Sequence, residues 1–371
     1  MLETKIVKGG TDVIDQLAAE WIRLCEEGKC NDPFLRPEWY RAFVDNFGDD
    51  VELLTVRSNG RLRAVLLLWQ KLDSIYAVPA RKIQGVFNLN SPRFDMIHGS
   101  DESERGEIVS AVWNGIKRAK TWDAIEFRLV KRNSWLAEVI ALAQAENYST
   151  GVWPMDGAPC ISVSNAGPTT ETSDDFFSGS RKHFGKELSR RLRRLNEQGA
   201  VEFSVSSTFE PDLMQRYLEL ENRGWKGRNG TSAISDPKAS ALHRDFAAAV
   251  AQQGALLVYE LKLNGQTIAM SINIRHGDKV FHWKTSYDED YAKYSPGNLL
   301  FRQLLTDCIE YGSTEIDFLS PSTPNKSVWA TSERDHVAFY IFRRGIIGSL
   351  LWHWTFSVIG SLRTLKQAPA H

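Results

Sequence analysis

Residues 254–329 decide the fold, and they read GALLVYELKLNGQTIAMSINIRHGDKVFHWKTSYDEDYAKYSPGNLLFRQLLTDCIEYGSTEIDFLSPSTPNKSVW. Two apolar segments, 255–263 and 266–275, flank Asn264-Gly265. Type I′ hairpin turns favour this pair because both central residues take a positive φ. A third apolar segment, 279–286, follows a His-Gly-Asp turn. The pattern therefore predicts three consecutive strands.

A strand–loop–helix junction follows these strands. Residues 287–294 predict an irregular loop that ends in Ser-Pro-Gly-Asn, and leucines on one face predict a helix over 299–311. A helix that begins at Gly297 or Asn298 leaves its first N–H groups unpaired, and a glycine there lets a phosphate approach them. Residues 314–319 then predict a buried strand. The junction is a candidate pyrophosphate site, although many such turns contain glycine and bind nothing.

Composition restricts the class of protein. The chain has 371 residues, enough for two domains, and its 42% hydrophobic and 25% charged content is typical of a soluble globular protein. A net charge of −1 creates no global field that would recruit nucleic acid or a membrane. The four cysteines lack C-x-x-C spacing, so we expect neither a metal site nor a disulfide framework. A cytoplasmic location is expected, because the N-terminus also lacks the apolar core of a signal peptide.

The first half of the chain repeats this pattern. Residues 51–57 and 61–69 flank Asn59-Gly60, and a third strand over 71–78, a helix and a buried strand over 124–129 follow. We interpret this as two copies of one α/β unit, although any two Asn-Gly hairpins resemble each other. The predicted domains are residues 1–166 and 176–371, and the polar segment 167–175 between them is the predicted linker.

Residues 180–199 predict a strongly basic helix. Seven lysines and arginines stand against Glu187 and Glu197, and apolar residues three to four positions apart form one face. The basic remainder is either a solvated face or a phosphate contact, for the 3′-phosphate of coenzyme A, a tRNA backbone, or an anionic glycan or lipid. Nucleic acid is the least favoured partner because no aromatic residues interleave with the basic ones.

Residues 345–362 contain no charged side chain and lie between Arg343-Arg344 and Arg363. Eighteen residues are just long enough to span a membrane, but three glycines, three serines and a histidine make the hydropathy modest. We expect a closing helix packed on the second domain. The alternative is peripheral contact with a biosynthetic complex at the inner face of the membrane.

Several motifs resemble one family. Residues 284–300 (KTSYDEDYAKYSPGNLL), 315–319 (EIDFL) and 325–329 (NKSVW) resemble the acetyltransferase domain of the CelD-like family, which is linked to cellulose and exopolysaccharide biosynthesis. That family lies in the GNAT superfamily and is related to the Fem peptidoglycan aminoacyltransferases. Residues 221–231 (ENRGWKGRNGT) and 31–39 (NDPFLRPEW) are further matches.

This sequence departs from the family pattern in two places. The pattern has Gly-Asp and then Tyr-Lys after the buried strand, whereas this chain has Ser320-Pro321 and Asn325-Lys326. The glycine-rich phosphate loop of ordinary GNAT enzymes is reduced to Ser-Pro-Gly-Asn. Both departures put a standard acetyl-CoA reaction in doubt.

The resemblance implies an α/β fold of tandem GNAT-like (acyl-CoA N-acyltransferase) units, each a mixed central sheet flanked by helices. It also implies direct transfer of an acyl group, from acetyl-CoA or another acyl-CoA as co-substrate, to an amine or hydroxyl of a saccharide or cell-envelope precursor. In such a fold two parallel strands splay apart, here 279–286 and 314–319, and pantetheine pairs with the free edge. The alternatives are a Fem-like transferase that uses aminoacyl-tRNA and a non-catalytic component of a polysaccharide complex.

The resemblance and the residue pattern together give the candidate site residues. The candidate bases are Asp317, His282 and Asp288. The structural alternatives are a salt bridge for Asp317, for example to Lys326, a hydrogen-bonded histidine within the sheet for His282, and a turn cap for Asp288. The candidate donor-binding residues are Ser295, Gly297, Asn298 and Lys284. The candidate acceptor-binding residues are Trp225, Lys226, Lys326 and Trp329, of which Trp225 and Trp329 are equally interpretable as packed tryptophans.

Overall fold

The computed structural model describes residues 2–28, 30, 32–48, 51–119, 121–163, 172–230, 232–319 and 321–367. The chain divides into two compact units. The first unit comprises Met1–Asp156 and Asp335–His371, and the second comprises Gly157–Arg334. Each unit has one mixed β-sheet with helices packed against it, as the α/β prediction required.

The strands of the first unit are β1 (Leu2–Gly9), β2 (Val51–Ser58), β3 (Arg61–Ile75), β4 (Val78–Gly85), β5 (Ile97–His98), β6 (Ala124–Lys131), β7 (Ser149–Pro154) and β15 (His336–Phe342). The strands of the second unit are β8 (Ala158–Ser162), β9 (Val201–Ser206), β10 (Leu256–Leu263), β11 (Gln266–His276), β12 (Lys279–Tyr287), β13 (Glu315–Asp317) and β14 (Ser332–Arg334).

The helices of the first unit are α1 (Thr11–Glu27), α2 (Pro37–Phe47), α3 (Arg105–Lys117) and α4 (Val139–Ala145). Those of the second unit are α5 (Ser173–Phe176), α6 (Lys182–Asn196), α7 (Leu213–Arg223), α8 (Trp225–Arg228), α9 (Pro237–Gln252), α10 (Pro296–Glu310) and α11 (Pro324–Ser327). The chain then returns to the first unit with α12 (Ile346–Trp352), a π-helical turn (His353–Val358) and α13 (Ile359–Gln367).

The two sheets have the same strand pattern. Their orders are β1-β2-β3-β4-β6-β15-β7 and β9-β10-β11-β12-β13-β8-β14, with β5 beside β3. Both Asn-Gly hairpin turns have positive φ at both residues, as a type I′ turn requires. In each sheet one parallel pair of strands is present, β4 with β6 and β12 with β13, and both pairs run for three residues. The repeat expected from the sequence is therefore visible strand by strand.

One strand position is exchanged between the two halves of the sequence. The strand beside β6 is β15, from near the end of the chain, and the equivalent strand beside β13 is β8, from the first half. All seven residues of β15 are buried, and it pairs with β6 and β7. The sequence-based boundaries at 166 and 176 placed these two strands in the opposite units.

Two further expectations need correction. Residues 71–75 continue β3, and the third strand is Val78–Gly85, because Tyr76 and Ala77 form the turn with positive φ. The C-terminal helical segment packs on the sheet of the first unit and not on the second, with Phe356 stacked on Trp153 of β7 at 5.0 Å. Among the described residues, no helix is long and apolar enough to cross a membrane. Of the predicted linker, residues 167–171 lie outside the described part of the chain.

Each sheet has its own hydrophobic core. In the second unit, the leucines that predicted α10 are all buried, and they pack with Ile316 of β13 and the aromatic ring of Trp329. This packing fixes the first turn of α10 beside the end of β12, which positions the candidate site.

Candidate active site

Strands β12 and β13 part in the middle of the second sheet. They pair in parallel over Lys279–Phe281 and Glu315–Asp317, after which β13 ends. Strand β12 continues to Tyr287, and in the part of the chain that the structure describes no strand pairs with 282–287 on that side. A ligand that pairs as a strand does would lie on this side of β12.

A β-bulge lies at the parting point. Ile272 pairs with Lys284 and Asn273 pairs with His282, so Trp283 is the extra residue of β12. The bulge turns Trp283 towards α9, where its ring meets His243 at 5.5 Å and Phe246 at 5.3 Å. It also interrupts the alternation that would place His282 and Lys284 on one face of a regular strand.

His282 lies directly after Phe281, the last residue of β12 that pairs with β13. It is only 8% exposed. Its ring packs edge-on against Phe301 of α10 and against Phe318, which follows β13. Its Nδ1 atom is 2.7 Å from Asn273 Oδ1, and the Asn273 amide donates to Leu257 O and Ser271 Oγ. Since Asn273 Oδ1 accepts, the neutral imidazole carries its proton on Nδ1 and its lone pair on Nε2.

Burial, and to a smaller extent the positive charge of Lys326, lower the pKa of His282 to about 3. The imidazole is therefore uncharged at neutral pH. The effect also shows that α11 carries Lys326 into the electrostatic neighbourhood of His282. The structure thus brings these two candidates together.

The N-terminus of α10 is the second part of the site. Ser295 has φ 53° and turns the chain into the helix, and its carbonyl accepts the N–H groups of Asn298 and Leu299. Of the first-turn amides that the structure describes, that of Gly297 has no acceptor. A Cβ at Gly297 would meet only Tyr287 Cδ1, at 3.5 Å, so packing within the protein does not require glycine here. A phosphate that approaches the Gly297 amide would require glycine, because a side chain there would block it.

The corresponding helix of the first unit has more acidic residues close to its start. Glu102 and Glu104 lie in the 3₁₀ turn that directly precedes α3, and Glu107 lies in its first turn. The first turn of α10 has no acidic residue, and Glu289 and Asp290 of the preceding 3₁₀ turn lie at the far end of that turn. Because the N-terminus of a helix attracts anions and acidic side chains there repel them, an anionic donor favours the second unit.

Asn298 and Trp329 form one structural pair. The indole Nε1 of Trp329 donates to Asn298 Oδ1 at 3.1 Å, which holds the first turn of α10. Trp329 is 1% exposed, and its ring packs against Phe301 and Phe184. Burial leaves Trp329 no surface for an acceptor, so of the two expectations for this residue the structure supports the one in which it closes the core.

Asp317 is fully buried and held by the protein. Its Oδ2 accepts from Arg334 Nη1 at 2.7 Å, and its Oδ1 accepts from the N–H of Leu319 at 2.7 Å. Leu319 has φ 62°, so Asp317 also stabilises the left-handed turn by which the chain leaves β13. These contacts favour the salt-bridge alternative, with Arg334 as a partner that the sequence did not reveal.

Asp288 and Lys284 lie at the end of β12 and on it. Asp288 caps the 3₁₀ turn Glu289–Tyr294 by accepting a hydrogen bond from Asp290 N at 3.1 Å, as the turn-cap interpretation predicts. Lys284 is half-buried on β12, with its ammonium 5.8 Å from the centre of the Trp283 ring. The side chains of Trp225 and Lys226 lie outside what the structure describes, so their predicted contact with an acceptor stays a prediction.

The motif at 221–231 contributes a buried anchor that the sequence reasoning missed. Glu221 is 4% exposed and accepts from Ala233 N at 3.0 Å and from Ser232 Oγ. The hydroxyl of Tyr217 lies 3.2 Å from Glu221 Oε1 and 3.3 Å from the carbonyl of Thr285 on β12. A carboxylate in the last turn of a helix, four residues after a tyrosine, was the available signal. This cluster ties the segment after α7 to the edge strand of the cleft.

Helix α6 lines a basic cavity of about 570 Å³ in the second unit. Its basic lining residues are Lys182, Lys186, Arg190, Arg193 and Arg302, and its acidic ones are Asp174 and Glu187. Glu187 pairs with Arg190 and Arg191, but within the described residues Lys182, Lys186 and Arg193 form no ion pair. Unneutralised charge around a concave surface favours the phosphate-contact interpretation of this helix over a simply solvated face.

The sequence comparison matches most of the second unit. Residues 182–327 match the family model Acetyltransf_6, described as an acetyltransferase (GNAT) domain. This part of the chain is therefore similar to GNAT acetyltransferase domains, and it contains β12, α10 and β13. The narrower likeness to the CelD-like family stays a prediction. No curated protein matches the chain at a significant level.

Solved structures resemble the fold across nearly the whole chain. The C-terminal domain (DUF2156) of a lysylphosphatidylglycerol synthetase from Agrobacterium fabrum has 11% identity and TM-score 0.55, and covers 94% of this chain and 97% of that one. A conserved protein of unknown function from Bacteroides thetaiotaomicron has 12% identity, coverages of 92% and 100%, and TM-score 0.52. FemX has 11% identity, coverages of 86% and 93%, and TM-score 0.52. At such identities the likeness concerns the fold alone.

Proposed function

We propose that the GNAT domain transfers an acyl group, most simply acetyl, from acyl-coenzyme A to an amine or hydroxyl of a saccharide or other cell-envelope precursor. The observation that carries the proposal is the parting of β12 and β13 beside the open Gly297 amide. The pantetheine amides would lie beside β12 beyond Phe281, where no described strand pairs with it on the β13 side, and the start of α10 would bind the pyrophosphate. The acceptor class rests on the CelD-like resemblance.

The reaction in this cleft is a direct transfer. The acceptor nitrogen or oxygen attacks the thioester carbonyl, a C–N or C–O bond forms, and the C–S bond breaks to release the coenzyme A thiolate. Nε2 of His282, which holds the lone pair, accepts the proton of the attacking group and passes it to the thiolate. Lys326 would stabilise the negative charge that develops on the carbonyl oxygen.

Calorimetric titration with acetyl-CoA and with coenzyme A tests the donor site. We expect saturable binding by the wild-type protein and its loss in Gly297→Trp. Gly297→Ala is the sharper variant, because a methyl group there meets only Tyr287 at an ordinary distance. It should leave the melting temperature unchanged while weakening coenzyme A binding. No heat from folded wild-type protein, or equal binding by all three proteins, would contradict the proposal.

The basic cavity at α6 favours one second candidate, a Fem-like transferase that uses aminoacyl-tRNA. Lys182, Lys186 and Arg193 would contact the phosphates of an acceptor stem. A filter-binding assay with tRNA distinguishes the two candidates. Tight binding that weakens in Lys186→Gln/Arg193→Gln but not in Arg23→Gln, together with no coenzyme A binding, would replace the first proposal by the second.

A further inference from the structure

Large apolar side chains are exposed along the C-terminal helical segment from α12 to α13. Their exposed fractions are 81% for Ile346, 60% for Ile347, 64% for Leu350, 44% for Val358 and 51% for Leu362. Eleven large apolar side chains are exposed in the described part of the chain, and these five share one segment of 17 residues, 346–362. Such a concentration marks an interaction surface, whereas single exposed apolar residues do not.

The opposite side of the segment is fixed to the first sheet. Leu351 and Thr355 are buried, and the ring of Phe356 stacks on Trp153 and lies directly over the backbone of Gly151. The indole of Trp352 donates to the carbonyl of Thr150 at 2.8 Å. The helices therefore cannot turn over to bury their apolar face against the first unit.

Arginines lie at both ends of this face. Arg343 donates to the carbonyl of Trp122, Arg344 lies over the ring of Tyr148, and Arg363 lies over Trp153. None of the three forms an ion pair with a described residue. Between them, residues 345–362 carry no charged side chain. The face is thus apolar in the middle and cationic at its ends.

We propose that this face docks the protein on an anionic lipid surface, with the helices lying in the plane of the interface. The isoleucines and leucines would enter the boundary between headgroups and acyl chains, and the arginines would bind lipid phosphates. A second copy of the chain fits this face less well. A twofold contact through the same patch would bring arginines of both copies together at the ends.

Flotation of the protein with lipid vesicles tests the proposal. Vesicles of phosphatidylcholine with phosphatidylglycerol should bind the wild-type protein. Pure phosphatidylcholine vesicles should bind it much more weakly, and high salt should release it from the anionic vesicles. Arg344→Gln/Arg363→Gln should weaken binding on the order of 30-fold. Ile346→Ser/Leu350→Ser should weaken it about tenfold or more.

Matched controls lie elsewhere in the same unit. Leu72→Ser/Leu89→Ser removes side chains that are 76% and 105% exposed, and Arg23→Gln/Arg41→Gln removes exposed arginines whose side chains are 52% and 58% exposed. Both controls should bind vesicles as the wild type does. Failure of the wild type to float, or equal loss in variants and controls, overturns the proposal. A dimer in sedimentation velocity that Ile346→Ser/Leu350→Ser abolishes would also overturn it, because a second copy would then cover the face.

Discussion

His282 links the chemistry of the cleft to the stability of the protein. Its pKa is lowered from the ordinary 6.5 to about 3 because the folded protein buries the imidazole. Between these two values the unfolded chain binds a proton that the folded protein does not. This residue therefore contributes a loss of stability as pH falls from about 6.5 towards 3.

The pH dependence of stability tests the lowered pKa of His282. The wild-type free energy of unfolding should fall between pH 6.5 and pH 4.5 by up to about 1.4 kcal/mol per pH unit more than that of His282→Gln, which has no group to protonate. Urea unfolding at both pH values measures the difference. Parallel pH profiles for the two proteins would show that burial does not lower the pKa of His282.

The contacts of Asp317 predict a structural role for its carboxylate. Asp317→Asn removes the charge that pairs with Arg334, which keeps Glu315 as a second partner, so it should reduce the free energy of unfolding by about 2 kcal/mol. His282→Gln at pH 7 should reduce transferase activity about 100-fold or more with little loss of stability. Denaturant curves and initial rates for both variants check this. Loss of activity in Asp317→Asn at wild-type stability would instead make Asp317 the base.

Sequence reasoning at this scale found the right positions more readily than their partners. A carboxylate in the apolar strand EIDFL had to be paired, but Arg334 is contributed by a strand whose placement depends on pairing with β8. The acceptor of the His282 proton, Asn273, is opposite it only because of the bulge at Trp283. Neither partner follows from local spacing, because each depends on sheet register.

At the scale of elements, local signals were sufficient where turn chemistry is local. Both Asn-Gly hairpins and the amphipathic α10 formed as predicted, since their determinants lie within a few residues of one another. The turn at Tyr76-Ala77 was missed because neither residue ordinarily takes a positive φ. The third strand of the first unit was therefore predicted too early in the chain.

The packing of the C-terminal helical segment on β7 leads to a prediction about Gly151. A Cβ at Gly151 would overlap the ring of Phe356, so Gly151→Ala should destabilise the first unit by about 2 kcal/mol. Gly106→Ala in α3, where nothing lies within 4 Å of the added methyl, should be neutral or slightly stabilising. Thermal unfolding of the two variants makes the comparison. Equal melting temperatures would mean that Phe356 is not held over Gly151.

At the scale of the whole molecule, the exchange of β8 and β15 decides how the chain can be divided. Periodicity predicts that a strand exists but does not say which sheet it joins, so the boundaries at 166 and 176 followed the order of the sequence. The buried run HVAFYIF fills the sheet position between β6 and β7, although the two flanking strands lie nearly two hundred residues earlier.

The exchange predicts the behaviour of fragments. Residues 1–166 lack β15 and residues 176–371 lack β8, so neither fragment alone should unfold cooperatively. Co-expressed, the two should associate and give the near-ultraviolet circular dichroism of the intact chain. A fragment that folds cooperatively by itself would show that the exchanged strand is dispensable.

The most direct test of the central claim is hydrogen–deuterium exchange of the intact protein with and without acetyl-CoA. The donor should slow exchange of the amides in 282–287 and of Gly297, where β12 pairs with β11 but with no described strand on the β13 side, and where α10 begins. Amides in 86–90, which follow the equivalent strand β4, should be unaffected. Protection confined to the second unit would place the donor between β12 and β13. Unchanged exchange there, or protection at 86–90 alone, would contradict the account.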